Sequence, residues 1–126
     1  MLKVLLLLLF AIPVKGERVS TTIKNCYDGD TCTTKDGERI RLACIDTPEL
    51  RGQNADPIRA IAARDYLNEL VAGKEVVVNR ITKDRYQRTV AELFINGMNI
   101  QEHLVEEGFA KVYKRYASQC EWTKGQ

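Results

Sequence analysis

Residues 18–45 read RVSTTIKNCYDGDTCTTKDGERIRLACI, and this stretch decides the fold class. Short segments rich in β-branched residues are interrupted twice by an Asp-Gly pair, at Asp28-Gly29 and at Asp36-Gly37. An Asp-Gly pair between two such segments is the typical signal of a tight hairpin turn. The stretch therefore predicts three consecutive strands joined by two hairpins.

The third of these segments shows which side of its strand faces the interior. Polar and apolar residues alternate from Glu38 to Leu42, as expected for a strand with one buried face. Ile40 and Leu42 are therefore expected to face a core. Arg39 and Arg41 are expected to point the other way.

The remaining chain alternates helical and extended patterns. The predicted elements are a helix from about Asp56 to Ala72, strands at Glu75–Val78 and Arg88–Ile95, and a second helix from Asn99 to Glu107. The apolar stripe of the first helix is expected to run through Ile58, Ile61, Ala62, Leu67, Leu70 and Val71. Three strands, a helix, two strands and a helix favour a five-stranded barrel of the OB type over a parallel α/β sheet. The predicted fold class is α+β, mainly β, with two to three helices.

The N-terminus has the pattern of an export signal. Met1-Leu2-Lys3 precedes nine uncharged apolar residues, Val4 to Ile12, about half of the roughly 20 that a membrane-spanning helix needs. A basic start, a short apolar run and small residues near a cleavage point are typical of a secretory signal peptide. We therefore predict a signal peptide at residues 1–16, one domain at residues 17–126, and a secreted or periplasmic protein.

The charge balance gives no support to a general affinity for polyanions. The chain has 19 basic and 17 acidic residues. Two of the basic residues, Lys3 and Lys15, belong to the predicted leader, which leaves 17 basic against 17 acidic residues in the mature domain. A nucleic-acid site must therefore arise from local clustering of charge and not from net charge.

The four cysteines, Cys26, Cys32, Cys44 and Cys120, form an even set that suits two disulfides in an oxidising compartment. Three pairings are possible. Cys26 and Cys32 flank Gly29 symmetrically, as opposite residues of a tight hairpin would, which favours a Cys26–Cys32 bond and leaves Cys44 with Cys120. A zinc site is not expected, because the chain has neither a CxxC pair nor a second histidine.

Two acidic turns are candidates for a cation site. They are Asp28-Gly29-Asp30-Thr31 and Asp46-Thr47-Pro48-Glu49. Hairpins from adjacent strands would bring Asp30 and Asp46 to the same rim of a barrel, where carboxylates repel unless a cation neutralises them. Carboxylate and carbonyl oxygens are the ligands of Ca²⁺ and Mg²⁺. Either turn alone is better explained as a solvated loop.

Two arginines indicate which chemistry these acidic turns could support. Arg41 lies on the strand that leads into Asp46, and Arg88 begins a later strand. A planar guanidinium can hold two oxygens of one phosphate. Two such groups beside metal-binding carboxylates would neutralise the charge that develops at a pentacoordinate phosphorus. The combination predicts chemistry at a phosphate group, whereas either arginine alone is better explained as a surface charge.

Four segments, taken in order along the chain, match a known signature. They are Tyr27-Asp28-Gly29-Asp30-Thr31, Arg41 to Glu49, Asp84-Arg85-Tyr86-Gln87-Arg88, and Glu107 to Tyr113. Together they resemble the staphylococcal nuclease-like (thermonuclease) family. The resemblance implies an OB-fold barrel and Ca²⁺-dependent cleavage of DNA and RNA to products ending in 3′-phosphate. It leads us to expect a monomer with nucleic-acid substrates and no stable membrane insertion once the leader is removed.

The resemblance also assigns roles to individual residues. The catalytic set would be Arg41, Glu49 and Arg88, the metal ligands Asp30, Asp46 and the Thr47 carbonyl, and the substrate contacts Arg85, Tyr86 and Tyr113. Glu49 would take a proton from the attacking water, and the two arginines would clamp the scissile phosphate. Asp28 would support the metal site without being a direct ligand.

The sequence departs from the family pattern at two places near these residues. The segment from Leu50 to Ala55 is shorter than the family's lysine-bearing loop, and Gln87 stands where glycine is common. Two other functions fit parts of the sequence: a non-catalytic OB-fold module that binds nucleic acid, and a disulfide-stapled secreted interaction domain. Neither explains why Glu49 and both arginines occur together.

Overall fold

A computed structural model describes residues 18–126. The predicted signal peptide and its cleavage point lie outside the described residues. The strands are β1 (Arg18–Asp28), β2 (Thr31–Thr34), β3 (Arg39–Leu42), β4 (Ile45–Asp46), β5 (Glu75–Lys83), β6 (Thr89–Ile95), β7 (Met98–Asn99) and β8 (Lys111–Val112). The α-helices are α1 (Pro57–Val71) and α2 (Ile100–Glu106), and 3₁₀ helices span Lys114–Gln119 and Glu121–Gly125. No helix within residues 18–126 is long and apolar enough to cross a bilayer.

The sheet closes on itself into a barrel. Neighbouring strands follow the order β3-β2-β1-β5-β6, all antiparallel, and the parallel pairing of β3 with β6 closes the ring. This confirms the predicted α+β, mainly β, OB-type barrel of five strands. The short strands β4, β7 and β8 were not predicted, and β4 pairs with β8 in a separate two-stranded sheet.

The barrel interior is filled by side chains from alternate strand positions. Ile40 and Leu42 are fully buried, whereas Arg39 and Arg41 on the same strand point outward, as the alternation predicted. The core continues through Ile23, Val76, Val78, Leu93, Ile100 and Leu104. The polar residues that form the site described below therefore lie on the outer face of β3 and in the turns at the barrel rim.

Helix α1 has the predicted bounds but not the predicted buried face. It begins after Asp56, whose carboxylate caps the first turn by accepting a bond from the Arg59 amide, and it ends before Gly73, which has a positive φ of 74°. The buried residues are Ala60, Ala63, Leu67 and Val71, while Ile58 is 83% exposed and Ile61 is 40% exposed.

The predicted stripe was wrong at its N-terminal half because this part of the helix lies against backbone. A Cβ atom placed on Gly29 would lie 2.8 Å from the Cβ of Ala63. An approach this close is compatible only with a small residue on the helix, so alanines occupy the interface and the isoleucines are turned outward.

Both favoured disulfides are confirmed. Cys26–Cys32 joins two residues that lie directly opposite each other on β1 and β2. Cys44–Cys120 connects the turn between β3 and β4 to the junction of the two C-terminal 3₁₀ helices. The second bond therefore ties the end of the chain to the turn that follows Arg41.

Candidate active site

The site is built around the hairpin turn between β1 and β2. Gly29 sits at the centre of this turn, and a side chain there would meet both Ala63 and the Cβ and Cγ2 of Thr47, at 3.0 Å. The absence of a side chain lets the turn pack directly against α1 and against the segment that follows β4. Two sequence segments that were singled out separately, Asp28–Thr31 and Asp46–Glu49, thereby come into contact.

Asp30 is the centre of the resulting cluster. Its side chain is largely buried, and its Oδ2 accepts a hydrogen bond from the Thr47 hydroxyl at 3.0 Å and lies 3.4 Å from Nη2 of Arg41. Its Oδ1 accepts a longer bond from the Thr31 hydroxyl at 3.3 Å. The structure thus joins three of the predicted site residues, Asp30, Arg41 and Thr47, in direct contact.

Arg41 is fixed by the backbone as well as by Asp30. Its Nη1 donates to the Leu42 carbonyl at 2.7 Å, and its Nη2 donates to the Ile45 carbonyl at 2.9 Å. Both carbonyls belong to the β3–β4 turn, where Cys44 has a positive φ of 69° and is held by its disulfide. The guanidinium is therefore oriented before any ligand arrives, which reduces the entropy lost on binding.

Arg88 reaches the same cluster from the other side. Its Nε forms an ion pair with Asp84 at 2.7 Å, and its Nη1 lies 3.5 Å from the Thr31 hydroxyl that in turn contacts Asp30. Asp84 also accepts from the Arg88 amide at 3.0 Å. Burial raises the pKa of Asp84, but the hydrogen bonds from the Arg88 backbone and guanidinium outweigh burial, and the pKa lies below its usual value.

The loop that leads into Arg88 has the backbone conformation that glycine favours. Gln87 adopts a φ of 65°, in the left-handed region. It occupies the position where glycine is common in the family pattern. The loop is held by the Asp84 side chain, which also accepts from the Tyr86 amide at 2.9 Å. A hydrogen-bonded turn thus compensates for the missing glycine.

Asp28 and Asp30 place two carboxylates in one turn. The Asp30 amide donates to Oδ1 of Asp28 at 3.0 Å. Burial, and secondly the charge of Asp30, raise the pKa of Asp28 from 3.8 to about 6. Ionising both groups is therefore costly, and a cation bound between them would lower that cost.

The donor atoms of this turn suit a hard cation. Within residues 18–126, no three or more His, Cys, Asp or Glu side chains cluster in an arrangement that would hold a metal ion. A cation here would rely on few carboxylates, with carbonyl oxygens and water completing its shell. Ca²⁺ accepts such a mixed set of about six to eight oxygen ligands.

An open cleft of about 170 Å³ adjoins the two carboxylates. It is lined by Tyr27, Asp28, Asp30, Thr47, Pro48, Glu49, Leu50 and Arg51. Glu49 is exposed and thus accessible to water in this cleft. Asp46 is exposed in β4, opposite Lys111 of β8, and is not among the lining residues. The structure thus brings Glu49 to the carboxylate turn but does not place Asp46 in the cleft.

The predicted substrate residues lie in two separate groups. Arg85 donates to the Tyr86 hydroxyl at 2.7 Å, and the guanidinium groups of both Arg85 and Arg88 lie over the Tyr86 ring. Tyr113 stacks on Tyr116 with ring centres 5.3 Å apart. The Tyr113 amide donates to the Cys44 carbonyl at 2.8 Å, which places it beside the turn that orients Arg41.

Two residues of the site had received no role from the sequence. Asp84 orients Arg88, and its position four residues earlier on the other side of a turn was the available signal. Gly29 allows the close approach of the turn to Thr47, but its partners come from distant segments. The hairpin turn alone already accounts for a glycine at this position. The sequence therefore gives no sign that the turn must also approach Thr47 closely.

Comparison with known proteins agrees with these features. Residues 39–125 match the family model described as staphylococcal nuclease homologue. A protein of Escherichia coli named as an uncharacterized endonuclease is 34% identical over 116 residues, which cover 89% of this chain and 72% of the relative. A Haemophilus influenzae protein of the same name is 36% identical over 121 residues, covering 89% and 64%. A staphylococcal-like nuclease of Arabidopsis thaliana is 36% identical over 86 residues, covering 68% and 25%.

Proposed function

This chain belongs to the staphylococcal nuclease family, and we propose that it is an exported, calcium-dependent nuclease that hydrolyses phosphodiester bonds in DNA and RNA. The observation that carries the proposal is the arrangement around Asp30. Arg41 contacts this carboxylate directly at 3.4 Å, and Arg88 approaches it through Thr31. The names of the relatives, endonuclease and nuclease, support the same function.

Arg41 and Arg88 bind the scissile phosphate in this proposal. A guanidinium has five N–H donors. Arg88 uses Nε for Asp84 and Nη1 for Thr31 within the described part of the chain, so its Nη2 remains to contact a phosphate oxygen. Both groups neutralise charge as the phosphorus becomes pentacoordinate. Removing one such donor from a preorganised site typically costs about 3–4 kcal/mol of transition-state stabilisation.

Glu49 is the proposed general base. It lines the cleft next to Asp28 and Asp30, and its side chain is open to solvent. An ionised carboxylate within about 3 Å of the attacking water, or one water further away, can take its proton as the bond to phosphorus forms. The leaving 5′-oxygen then departs on the opposite side, next to Arg88, and the product ends in a 3′-phosphate.

We assign the calcium ligands to the Asp30 and Asp46 carboxylates and the Thr47 carbonyl, with Asp28 supporting them; Asp46 lies outside the cleft, opposite Lys111, so its carboxylate would have to turn towards Asp30 when the ion binds. When bound, Ca²⁺ supplies Lewis acidity at a phosphate oxygen and helps to orient the water. The raised pKa of Asp28, caused by burial and by Asp30, supports a cation at this turn. The protein itself contributes orientation, through the Thr47 hydroxyl bond to Asp30.

The proposed location is secreted or periplasmic. Two disulfides occur within residues 18–126, and such bonds persist in oxidising compartments outside the cytoplasm. The proposed signal peptide at residues 1–16 would direct export, and we propose that the mature protein acts as a monomer.

A cleavage assay tests the activity. Purified protein is incubated with plasmid, single-stranded DNA and RNA, first with Ca²⁺ and then with excess chelator. We expect degradation only with Ca²⁺, products with 3′-phosphate ends, and losses of at least about a hundredfold in Glu49→Gln and Arg88→Ala. Arg59→Ala, which removes an exposed charge on α1, is the matched control.

The alternatives give different results in the same assay. Degradation that persists in chelator, equally in wild type and in Glu49→Gln, would remove both the metal and the base from the proposal. Binding of single-stranded DNA without cleavage under any divalent ion would identify the chain as a binding-only OB module. Absence of both binding and cleavage would favour a secreted interaction domain.

A further inference from the structure

Arg39 is an exposed cation beside the proposed phosphate site that the cleavage mechanism does not use. Its Nη2 donates to the Tyr86 carbonyl at 2.6 Å. Among the ion pairs within residues 18–126, Arg41, Arg80 and Arg88 each have a carboxylate partner, and Arg39 has none. A positive charge is therefore held at the site without a carboxylate partner from the described part of the chain.

The strand geometry places Arg39 next to both clamp arginines. Arg39 and Arg41 are two residues apart on β3, so their side chains leave the same face, roughly 6.6 Å apart along the strand. Strand β3 runs parallel to β6 with Ile40 level with Thr89. Continuing this register by one residue puts Arg39 level with Arg88, the residue immediately before β6.

Three arginines on one face repel each other unless anions intervene. Asp30 balances Arg41 and Asp84 balances Arg88, but the charge of Arg39 adds to the field without compensation. A polynucleotide carries one phosphate per nucleotide, so a strand whose scissile phosphate lies between Arg41 and Arg88 brings a second phosphate close by. That phosphate would relieve the repulsion.

We propose that Arg39 binds the phosphate adjacent to the scissile phosphate on the same strand. The inference rests on the proposed nuclease function. The Tyr86 carbonyl uses one of the five guanidinium donors and fixes the plane of the group, which leaves the other donors for phosphate oxygens. Arg39 is thus a substrate-binding residue that favours polynucleotides over substrates with a single phosphate.

If Arg39 only supported the Arg88 loop, its removal would affect cleavage and salt dependence differently. The same hydrogen bond to the Tyr86 carbonyl also steadies the loop that carries Arg88. If support of this loop were its only role, removing Arg39 would impair cleavage of every substrate to the same degree. It would not change the number of salt ions released when a strand binds.

The experiment therefore compares substrates that differ in phosphate number. Wild type, Arg39→Ala, Arg39→Lys and the control Arg59→Ala are assayed with Ca²⁺ on a single-stranded DNA oligonucleotide and on a dinucleotide with one phosphate. We expect Arg39→Ala to lower kcat/KM on the oligonucleotide about tenfold, the size expected for one charge-assisted hydrogen bond. On the dinucleotide, which lacks the second phosphate, we expect a clearly smaller loss, because only the support of the Arg88 loop is removed.

Salt dependence of binding gives a second readout. The affinity for the oligonucleotide is measured by fluorescence anisotropy in chelator over a range of salt. Each phosphate contact to a single strand contributes about 0.7 to the slope of log K against log salt. We expect Arg39→Ala to reduce the slope by about this amount, and Arg39→Lys and Arg59→Ala to retain the wild-type slope.

The outcomes distinguish failure of the proposed Arg39 phosphate contact from failure of the proposed nuclease function. An equal loss on both substrates, with an unchanged salt slope, would overturn the phosphate contact and leave Arg39 as loop support. Equal slopes and equal kcat/KM for Arg39→Ala and wild type would remove the residue from substrate binding altogether. A wild-type protein that cleaves no substrate would instead count against the proposed nuclease function.

Discussion

Asp84 shows how a single carboxylate can orient an arginine through both its backbone and its side chain. It accepts from the Arg88 amide and from Nε of the same residue, so backbone and side chain are oriented together. A guanidinium held by its Nε edge presents its Nη atoms outward. The orientation of Arg88 towards Thr31 and Asp30 thus depends on Asp84.

Replacing Asp84 by asparagine tests this dependence. The amide retains the shape of the carboxylate but loses the charge-assisted bond to Arg88, so the guanidinium samples other orientations. We expect kcat on single-stranded DNA to fall about tenfold, with a small change in melting temperature. Asp65→Asn, which affects an exposed ion pair with Arg64 on α1, is the control. An unaltered kcat in Asp84→Asn would show that Arg88 orients itself without this carboxylate.

Gly29 is required by a packing contact in addition to its turn. Because an added Cβ would lie 2.8 Å from the Cβ of Ala63, Gly29→Ala must displace the turn from α1. We expect a loss of about 1–3 kcal/mol in the free energy of unfolding, measured by urea denaturation. Movement of the turn also shifts Asp28 and Asp30, so activity should fall with stability.

A double-mutant cycle isolates that contact. Ala63→Gly removes the nearest obstructing atom, so the double variant Gly29→Ala, Ala63→Gly should recover part of the lost stability. We expect a coupling free energy of about 1 kcal/mol between the two positions. Strict additivity of the two single changes would mean that the loss arises from the turn itself or from its contact with Thr47, and not from its approach to the helix.

At the scale of the elements, Glu38 joins three strands of the barrel. It precedes β3, its two oxygens accept from Nη2 and Nε of Arg80 on β5 at 2.7 and 2.9 Å, and Thr89 of β6 donates to it at 2.8 Å. These bonds, first those from Arg80, lower the pKa of Glu38 below its usual value. The ionised carboxylate thus stabilises the closure of the barrel at β3 and β6.

The lowered pKa predicts a pH dependence with a definite sign. A carboxyl group that is more acidic in the folded than in the unfolded state contributes stability above its unfolded pKa of 4.5. That contribution is lost as the pH falls through the lower, folded value. We expect Glu38→Gln to be less stable than wild type by about 1 kcal/mol at pH 7, because the pair is partly exposed.

Urea denaturation of both proteins from pH 7 down to pH 3 measures this difference. The two free energies of unfolding should approach each other as the pH falls below 4.5 through the lower, folded pKa of Glu38, because wild-type Glu38 then becomes protonated. Asp36→Asn, a change at an exposed turn residue, should leave the pH profile unchanged. A Glu38→Gln difference that does not shrink at all between pH 4.5 and pH 3 would assign the loss to packing and not to charge.

The sequence predicted those elements whose pattern is set by local chemistry. Alternation in β3 placed Arg41 on the outer face, and hairpin residues located the turn that carries Asp30. The buried face of α1 was mispredicted, because the approach of Gly29 to Ala63 joins residues far apart in the chain. The short pair of β4 and β8 also depends on distant partners. Neither the buried face of α1 nor the pairing of β4 with β8 has a signal in the neighbouring sequence.

At the scale of the whole molecule, basic and acidic residues balance, so the domain has no general excess of positive charge. Beyond the predicted leader the chain has equal numbers of basic and acidic residues, yet Arg39, Arg41 and Arg88 are close neighbours across β3 and the start of β6. A neutral domain with a local cationic site attracts polyanions over short distances only, since surface charges are screened beyond roughly 8–10 Å at physiological salt. Specificity for nucleic acid would then depend on the site itself.

The two disulfides are expected to stabilise the folded state by different amounts. Cys26–Cys32 closes a sequence separation of 6, and Cys44–Cys120 closes one of 76. Because a longer closed loop restricts the unfolded chain more, the loop-entropy relation gives about 2 kcal/mol for the first bond and about 4.5 kcal/mol for the second. The long-range bond also holds the turn whose Ile45 carbonyl orients Arg41.

We therefore expect different phenotypes from removing each bond. The paired change Cys44→Ala, Cys120→Ala should lower the melting temperature more than Cys26→Ala, Cys32→Ala, measured by calorimetry under oxidising conditions. It should also reduce kcat on single-stranded DNA below the melting transition, because the Arg41 turn loses its attachment to the C-terminal 3₁₀ helices. The Cys26–Cys32 pair serves as the matched control for loss of a disulfide as such. If its removal lowered the melting temperature more than removal of the long-range bond, native contacts and not loop closure would govern stability in this barrel.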